Sequence, residues 1–159
     1  MTRSIGPALP AALLSLLDGD RLDEKLGIGI QCLTSTTDDW PYQALVSVGE
    51  LVALSPSALR LAIWSTSTTA QNMEREGRCA LALVHEAASL LIRCDARDVG
   101  SLNAPGGPAL TVFDLGVVNV LEDVAAYATL TSGITFTLHD PTAILTRWMW
   151  TVAALRASF

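Results

Sequence analysis

The chain has 159 residues, half of them hydrophobic and 16% charged, with a formal net charge of −6. That composition excludes a disordered chain and suits one domain with a sizeable core, leaving apolar surface for which a subunit interface is the simplest sink. The negative charge argues against nucleic acid and against an anionic membrane surface as partners, and no apolar run reaches the length of a membrane span.

Residues 7–17 read as a first helix, with Leu9, Leu13, Leu16 and Leu17 in one apolar stripe and Gly19 as a stop. The stretch lacks the flanks of a signal peptide. Only Arg3 precedes it, Pro7 and Pro10 interrupt it, and Asp18 follows, so a cytoplasmic protein is expected. Residues 20–25 read as a solvated connection. A strand is predicted over 26–34, with Leu26, Ile28, Ile30 and Cys32 on one face. Gly27 and Gly29 lie opposite, where another segment can approach the backbone. After a polar turn at 35–39, Trp40-Pro41 opens a strand over 42–48. Gly49-Glu50 reads as a bulge before a strand at 51–54. Ser55-Pro56-Ser57 returns the chain into a strand at 59–64, so these two strands should be antiparallel neighbours.

Residues 78–85 and 88–96 read as two more strands, joined by Glu86-Ala87. The breaker-rich stretch 98–108 is predicted as the longest loop. A long strand over about 110–121 follows, then a helix over 123–130 and a β-rich piece at 134–138. Asp140-Pro141 starts a closing helix, with aspartate as N-cap and proline at the first helical position. Ile144, Trp148, Val152 and Leu155 share one face of it. Trp148 and Trp150 point to different faces, so at least one belongs at an interface or under a loop. The whole predicts a mainly β domain with flanking helices, a small closed or partly closed barrel of about six antiparallel strands. A doubly wound sheet does not fit, because strands and helices do not alternate.

The stretch 59–77 carries the most chemistry. Leu59, Leu61 and Ile63 alternate with Arg60, Ala62 and Trp64, and five hydroxyl residues follow, Ser65, Thr66, Ser67, Thr68 and Thr69. Thr68 with Gln71 fits a capping box, which makes Thr68 the expected N-cap of a short helix stopped by Gly77. The first amides of a helix lack internal partners and the dipole favours an anion there, so the turn can hold a phosphate. Plain capping is the commoner use of such residues. Elsewhere no nucleophile-and-base pattern stands out, so no catalytic residue is named. Asp38-Asp39 reads as a loop tip, and Glu50, at a bulge from which it could reach a cleft, is more commonly a surface group. Trp64 suits either a stack on a planar ligand or a place in the core. Cys32, Cys79 and Cys94 sit in predicted strands and read as buried free thiols. With His85 and His139 as the two histidines, no metal site is expected.

The run 40–84 resembles the pyridoxamine 5′-phosphate oxidase-like family of flavin-binding split barrels. The likeness rests on Pro41, the strand 59–64, the hydroxyl run 65–69, Asn72-Met73, Gly77-Arg78 and the strand 80–84. It implies a homodimer with flavin mononucleotide (FMN) as a small-molecule ligand at the subunit interface, and a flavin-dependent oxidoreductase. It also implies ring contacts from Leu45, Val46, Ser47, Ile63 and Trp64, and phosphate contacts from Ser65, Thr66, Ser67, Thr68 and Asn72. Thr69 stands where many members have lysine and Gln71 where arginine is common, which implies weak binding through amides and hydroxyls. A non-catalytic ligand-binding dimer and a structural homodimer with a decayed flavin site are the other two readings.

Overall fold

Alternating apolar residues build one antiparallel sheet, in a computed structural model that describes residues 1–157 and 159. Its strands are β1 (Thr2–Ser4), β2 (Ile30–Ser35), β3 (Pro41–Val46), β4 (Leu51–Ser55), β5 (Ala58–Trp64), β6 (Arg78–His85), β7 (Ala88–Asn103) and β8 (Ala109–Asp123). The order is β3-β2-β6-β7-β8-β5-β4, with β1 paired to the far end of β8. The sheet curls round a core that includes Ile30, Leu61, Leu81, Ile92 and Phe113 but does not close, which makes it a split barrel. The helices are α1 (Ala11–Leu16), α2 (Thr68–Glu76) and α3 (Pro141–Ala157), with one 3-10 turn at Leu22–Lys25.

β5 is buried on both faces from Leu59 to Ile63, because α3 packs over the face that the barrel leaves open. Arg60 on that face pairs with Asp114 at 2.6 Å and donates to the Leu155 carbonyl of α3 at 2.8 Å. Trp148 of α3 lies 4% exposed beneath the turn at 47–50. Gly49 permits this, since a Cβ there would fall 1.9 Å from Trp148 Cγ. Trp148 therefore finds its cover within the protomer, and Trp150 is half-buried.

Several expectations are corrected. The first helix starts only at Ala11, after Pro7 and Pro10, which have no N–H to give. β2 begins at Ile30, because Gly27 takes a left-handed conformation and Leu26 faces solvent. β3 ends at Val46, and residues 47–50 form a turn closed by the Glu50 amide on the Ser47 carbonyl at 3.1 Å, not a bulge. The real irregularity of β4 lies between Ala53 and Ser55. Residues 98–103 are strand, because pairing with β8 satisfies their backbone and a register shift at Asp98/Gly100 absorbs the glycine. The remaining breakers are confined to the hairpin turn at 104–108.

The expected helix at 123–130 does not form, and residues 124–140 make an irregular strap. Val124 and Tyr127 are exposed, so a helix there would have no face to bury, and packing is what stabilises short helices. The strap meets the two glycines before β2, with Gly29 N–H donating to Ile134 O at 2.9 Å and Phe136 N–H to Gly27 O at 3.0 Å. A Cβ on Gly27 would stand 2.6 Å from Phe136 O, so the close approach expected at these glycines is observed.

Candidate functional site

β5 delivers its last residue, Trp64, to the barrel rim, 55% exposed. The turn that follows is closed by its own backbone: Ser65 N–H donates to Ala109 O and Ser67 N–H to Trp64 O, both at 3.0 Å. The N-cap is Ser67, one residue before the expected Thr68. Its backbone is extended and its Oγ accepts from Ala70 N–H at 3.1 Å, leaving Thr68 as the first helical residue. At the other end Gly77 is left-handed and its N–H returns to Met73 O.

The hydroxyl run divides by direction. Thr66 and Thr68 are exposed. Ser65 is half-buried and accepts from Thr111 Oγ1 at 3.0 Å. Thr69 is 1% exposed, so the position where the family often has lysine faces the core here. Asn72 is also buried, its Nδ2 donating to Thr34 Oγ1 at 3.0 Å and its Oδ1 accepting from Arg75 at 3.2 Å. Asn72 therefore ties α2 to β2.

The expected ring contacts split in the same way, because neighbours in a strand point to opposite faces. Ile63 and Val46 point into the core, while Trp64 and Leu45 point out. Ser47 is buried, and both its N–H (2.8 Å) and its hydroxyl (3.1 Å) donate to the Glu50 carboxylate. Burial pushes the Glu50 carboxyl above its ordinary range, against the pull of these two bonds and of the Arg147 charge.

Glu50, Trp64, Pro108, Arg147 and Thr151 line a small depression of about 20 Å³ beside the turn. The sequence gives no signal for Arg147, a lone arginine on a remote helix that only the packing of α3 brings to Trp64. Glu50 is a wall of this depression and a cap on its own turn, the cleft position that is the rarer of its two readings from sequence. A larger cavity, about 500 Å³, lies on the outer face of the sheet against Leu33, Ala80, Arg93 and Val118. The three cysteines are free and buried, with Cys79 opposite Cys94 across β6 and β7. Cys32, Cys94 and burial together push the Cys79 thiol far up, so it stays protonated. Among the described residues no group of histidine, cysteine or carboxylate side chains is placed to hold a metal, and no helix is long and apolar enough to cross a membrane.

No protein-family model matches the chain. It is 34% identical over 144 residues to the uncharacterized protein YclD of Bacillus subtilis, covering 91% of this chain and 93% of YclD. Among solved structures, a candidate pyridoxamine 5′-phosphate oxidase from Lactobacillus delbrueckii superposes with a TM-score of 0.57 at 16% identity, covering 74% of this chain and 98% of that one. An FMN-binding protein from Syntrophomonas wolfei does so with a TM-score of 0.50 at 13% identity, covering 70% and 88%. The chain belongs to the family of YclD, and its fold is that of the pyridoxamine 5′-phosphate oxidase-like split barrels.

Proposed function

We propose that the protein binds FMN as a homodimer and serves as a flavin-dependent oxidoreductase. The observation that carries this is the exposed Trp64 standing directly before a hydroxyl turn and a capped helix N-terminus, on a fold that it shares with an FMN-binding protein. The residues fit a flavin in part. Trp64 offers a flat face, and Thr66, Thr68 and the first helical amides offer neutral donors to a phosphate. Ser47, Ser67 and Asn72 already make hydrogen bonds within the protein, which leaves them less to offer a ligand. When bound, the flavin would supply the hydride or electron chemistry. The chain's part is to hold the ring and shield it from water.

The dimer reading rests on the outer face of the sheet. Leu45, Gln31, Ala82 and Leu91 form one cross-strand row, and Gln43, Leu33, Ala80 and Arg93 the next. Such a small, apolar centre suits a two-fold contact. Arg93 has no ion pair within the protomer, and Glu76 and Asp95 line the same cavity, so a second copy can bring acid to base there. A cytoplasmic location accords with three buried, unpaired thiols. A binding protein without turnover is the second reading, favoured by the commitment of Ser47 and Asn72 to structure.

A visible absorption spectrum after incubation with FMN tests the cofactor. A saturable shift of the flavin band on titration with the protein supports the reading, and no shift at millimolar flavin refutes it. Bleaching of that band by reduced nicotinamide, with recovery in air, separates the oxidoreductase from the binding protein.

A further inference from the structure

Among the described residues, every basic side chain but two stands in an ion pair with a carboxylate. One of the two is Arg93, on the outer sheet face. The other is Arg147, exposed on α3, where it lines the depression beneath Trp64. Its guanidinium makes no hydrogen bond and no close ion pair, although its charge pulls on the Glu50 carboxyl. Glu50, the acid in the same depression, directs its carboxylate at Ser47 instead.

The depression has room for roughly one water, so it admits only the end of a ligand, an oxygen or two of an anion. The body of that ligand must lie outside, where Trp64 presents its face. Ser65 bonds to Ala109, and the neighbours of Ala109, Pro108 and Leu110, both line the depression. Trp64, which leads directly into the hydroxyl turn, and the Arg147 guanidinium thus line one depression, although they come from distant parts of the chain.

We propose that Arg147 supplies the cation that the strand-to-helix turn lacks. It binds the anionic end of the planar ligand that lies on Trp64, which for FMN is the phosphate. This rests on the flavin reading above. A guanidinium presents a planar fork of donors that matches two oxygens of a phosphate, and α3 holds it on a rigid element. An arginine from α3 also accounts for a buried threonine at position 69: the charge enters from the opposite wall.

The test compares FMN with riboflavin, which has the same ring and no phosphate, by flavin fluorescence titration. Wild type, Arg147→Gln and Arg147→Lys are measured, and each is checked by circular dichroism and melting. Arg147→Gln should weaken FMN by about tenfold to a hundredfold, the range of a charge-assisted contact, and leave riboflavin within about twofold. Arg147→Lys should recover part of the loss. Salt should weaken FMN binding in the wild type and have little effect on it in Arg147→Gln. Equal effects on both flavins, or none on FMN, would overturn the role of Arg147 and leave the flavin reading standing. Binding of neither flavin by the wild type would overturn both.

Discussion

The two walls of the site use their polar groups in opposite ways. On the wall built by the turn and α2, three polar side chains are spent on the protein: Ser67 caps the helix, Asn72 ties it to β2, and Ser65 receives the Thr111 hydroxyl, while Thr66 and Thr68 stay exposed. On the wall built by α3, the Arg147 guanidinium makes no hydrogen bond or close ion pair, and its charge acts on the Glu50 carboxyl of the same depression. A helix N-terminus must satisfy its own amides before it can serve a ligand, whereas an arginine in the middle of a helix owes nothing to the backbone. The wall that looks like a binding motif is therefore partly structural, and the wall without a motif holds the exposed cation.

The sharpest way to break this contrast is at Gly49. A methyl there would meet the Trp148 ring at 1.9 Å, so Gly49→Ala must displace α3 or the turn at 47–50. Overpacking of this kind costs about 1–3 kcal/mol. A fall in melting temperature of several degrees is expected, together with weaker flavin binding because Arg147 moves with α3. An unchanged melting curve would show that the two parts are not tightly packed. Next in size is Asn72→Ala. It strands the buried Thr34 hydroxyl, at a cost of about 1–3 kcal/mol in chemical denaturation. The ratio of FMN to riboflavin affinity should stay as in the wild type, since Asn72 is assigned to structure. A selective loss of FMN would return Asn72 to the phosphate contacts.

Ser67→Ala should cost about 1 kcal/mol and Thr68→Ala less than about half of that, because only Ser67 accepts the Ala70 amide. If Thr68→Ala is the costlier change, the cap lies one residue later. The smallest effect concerns pH. Glu50 is raised in the folded state, so the native protein holds its proton over a window that opens at the ordinary value of 4.5. Stability from this group is full below that value and is lost as pH rises through the folded value. Glu50→Gln should flatten that slope, and parallel profiles for variant and wild type would contradict the burial of this carboxylate.

What the sequence makes legible is what local chemistry controls. Asp140 accepts from Ala143 N–H at 3.2 Å as an N-cap should, Gly77 ends α2, and the strand alternation holds in β2, β6 and the first half of β7. The hairpin of β4 and β5 pairs as expected. The errors share a cause: a tertiary partner outweighs the local pattern. β8 turns the breaker-rich 98–103 into strand, and the lack of a partner keeps 124–140 from becoming a helix. Which of Thr68 and Thr69 faces out follows from moving the cap by one residue, a shift within the ordinary uncertainty of a helix end. Arg147 has no local signature, because its role comes only from where α3 lands.

The central claim is that a flavin lies on the exposed face of Trp64. Titration of FMN into the wild type and Trp64→Ala, followed by quenching of flavin fluorescence, tests it most directly. A stacked ring is worth about 0.5–1.5 kcal/mol, so binding by the wild type and a loss of roughly twofold to tenfold in Trp64→Ala are predicted, the same for riboflavin as for FMN. Equal affinities for wild type and Trp64→Ala, or no binding by the wild type at millimolar flavin, would contradict it.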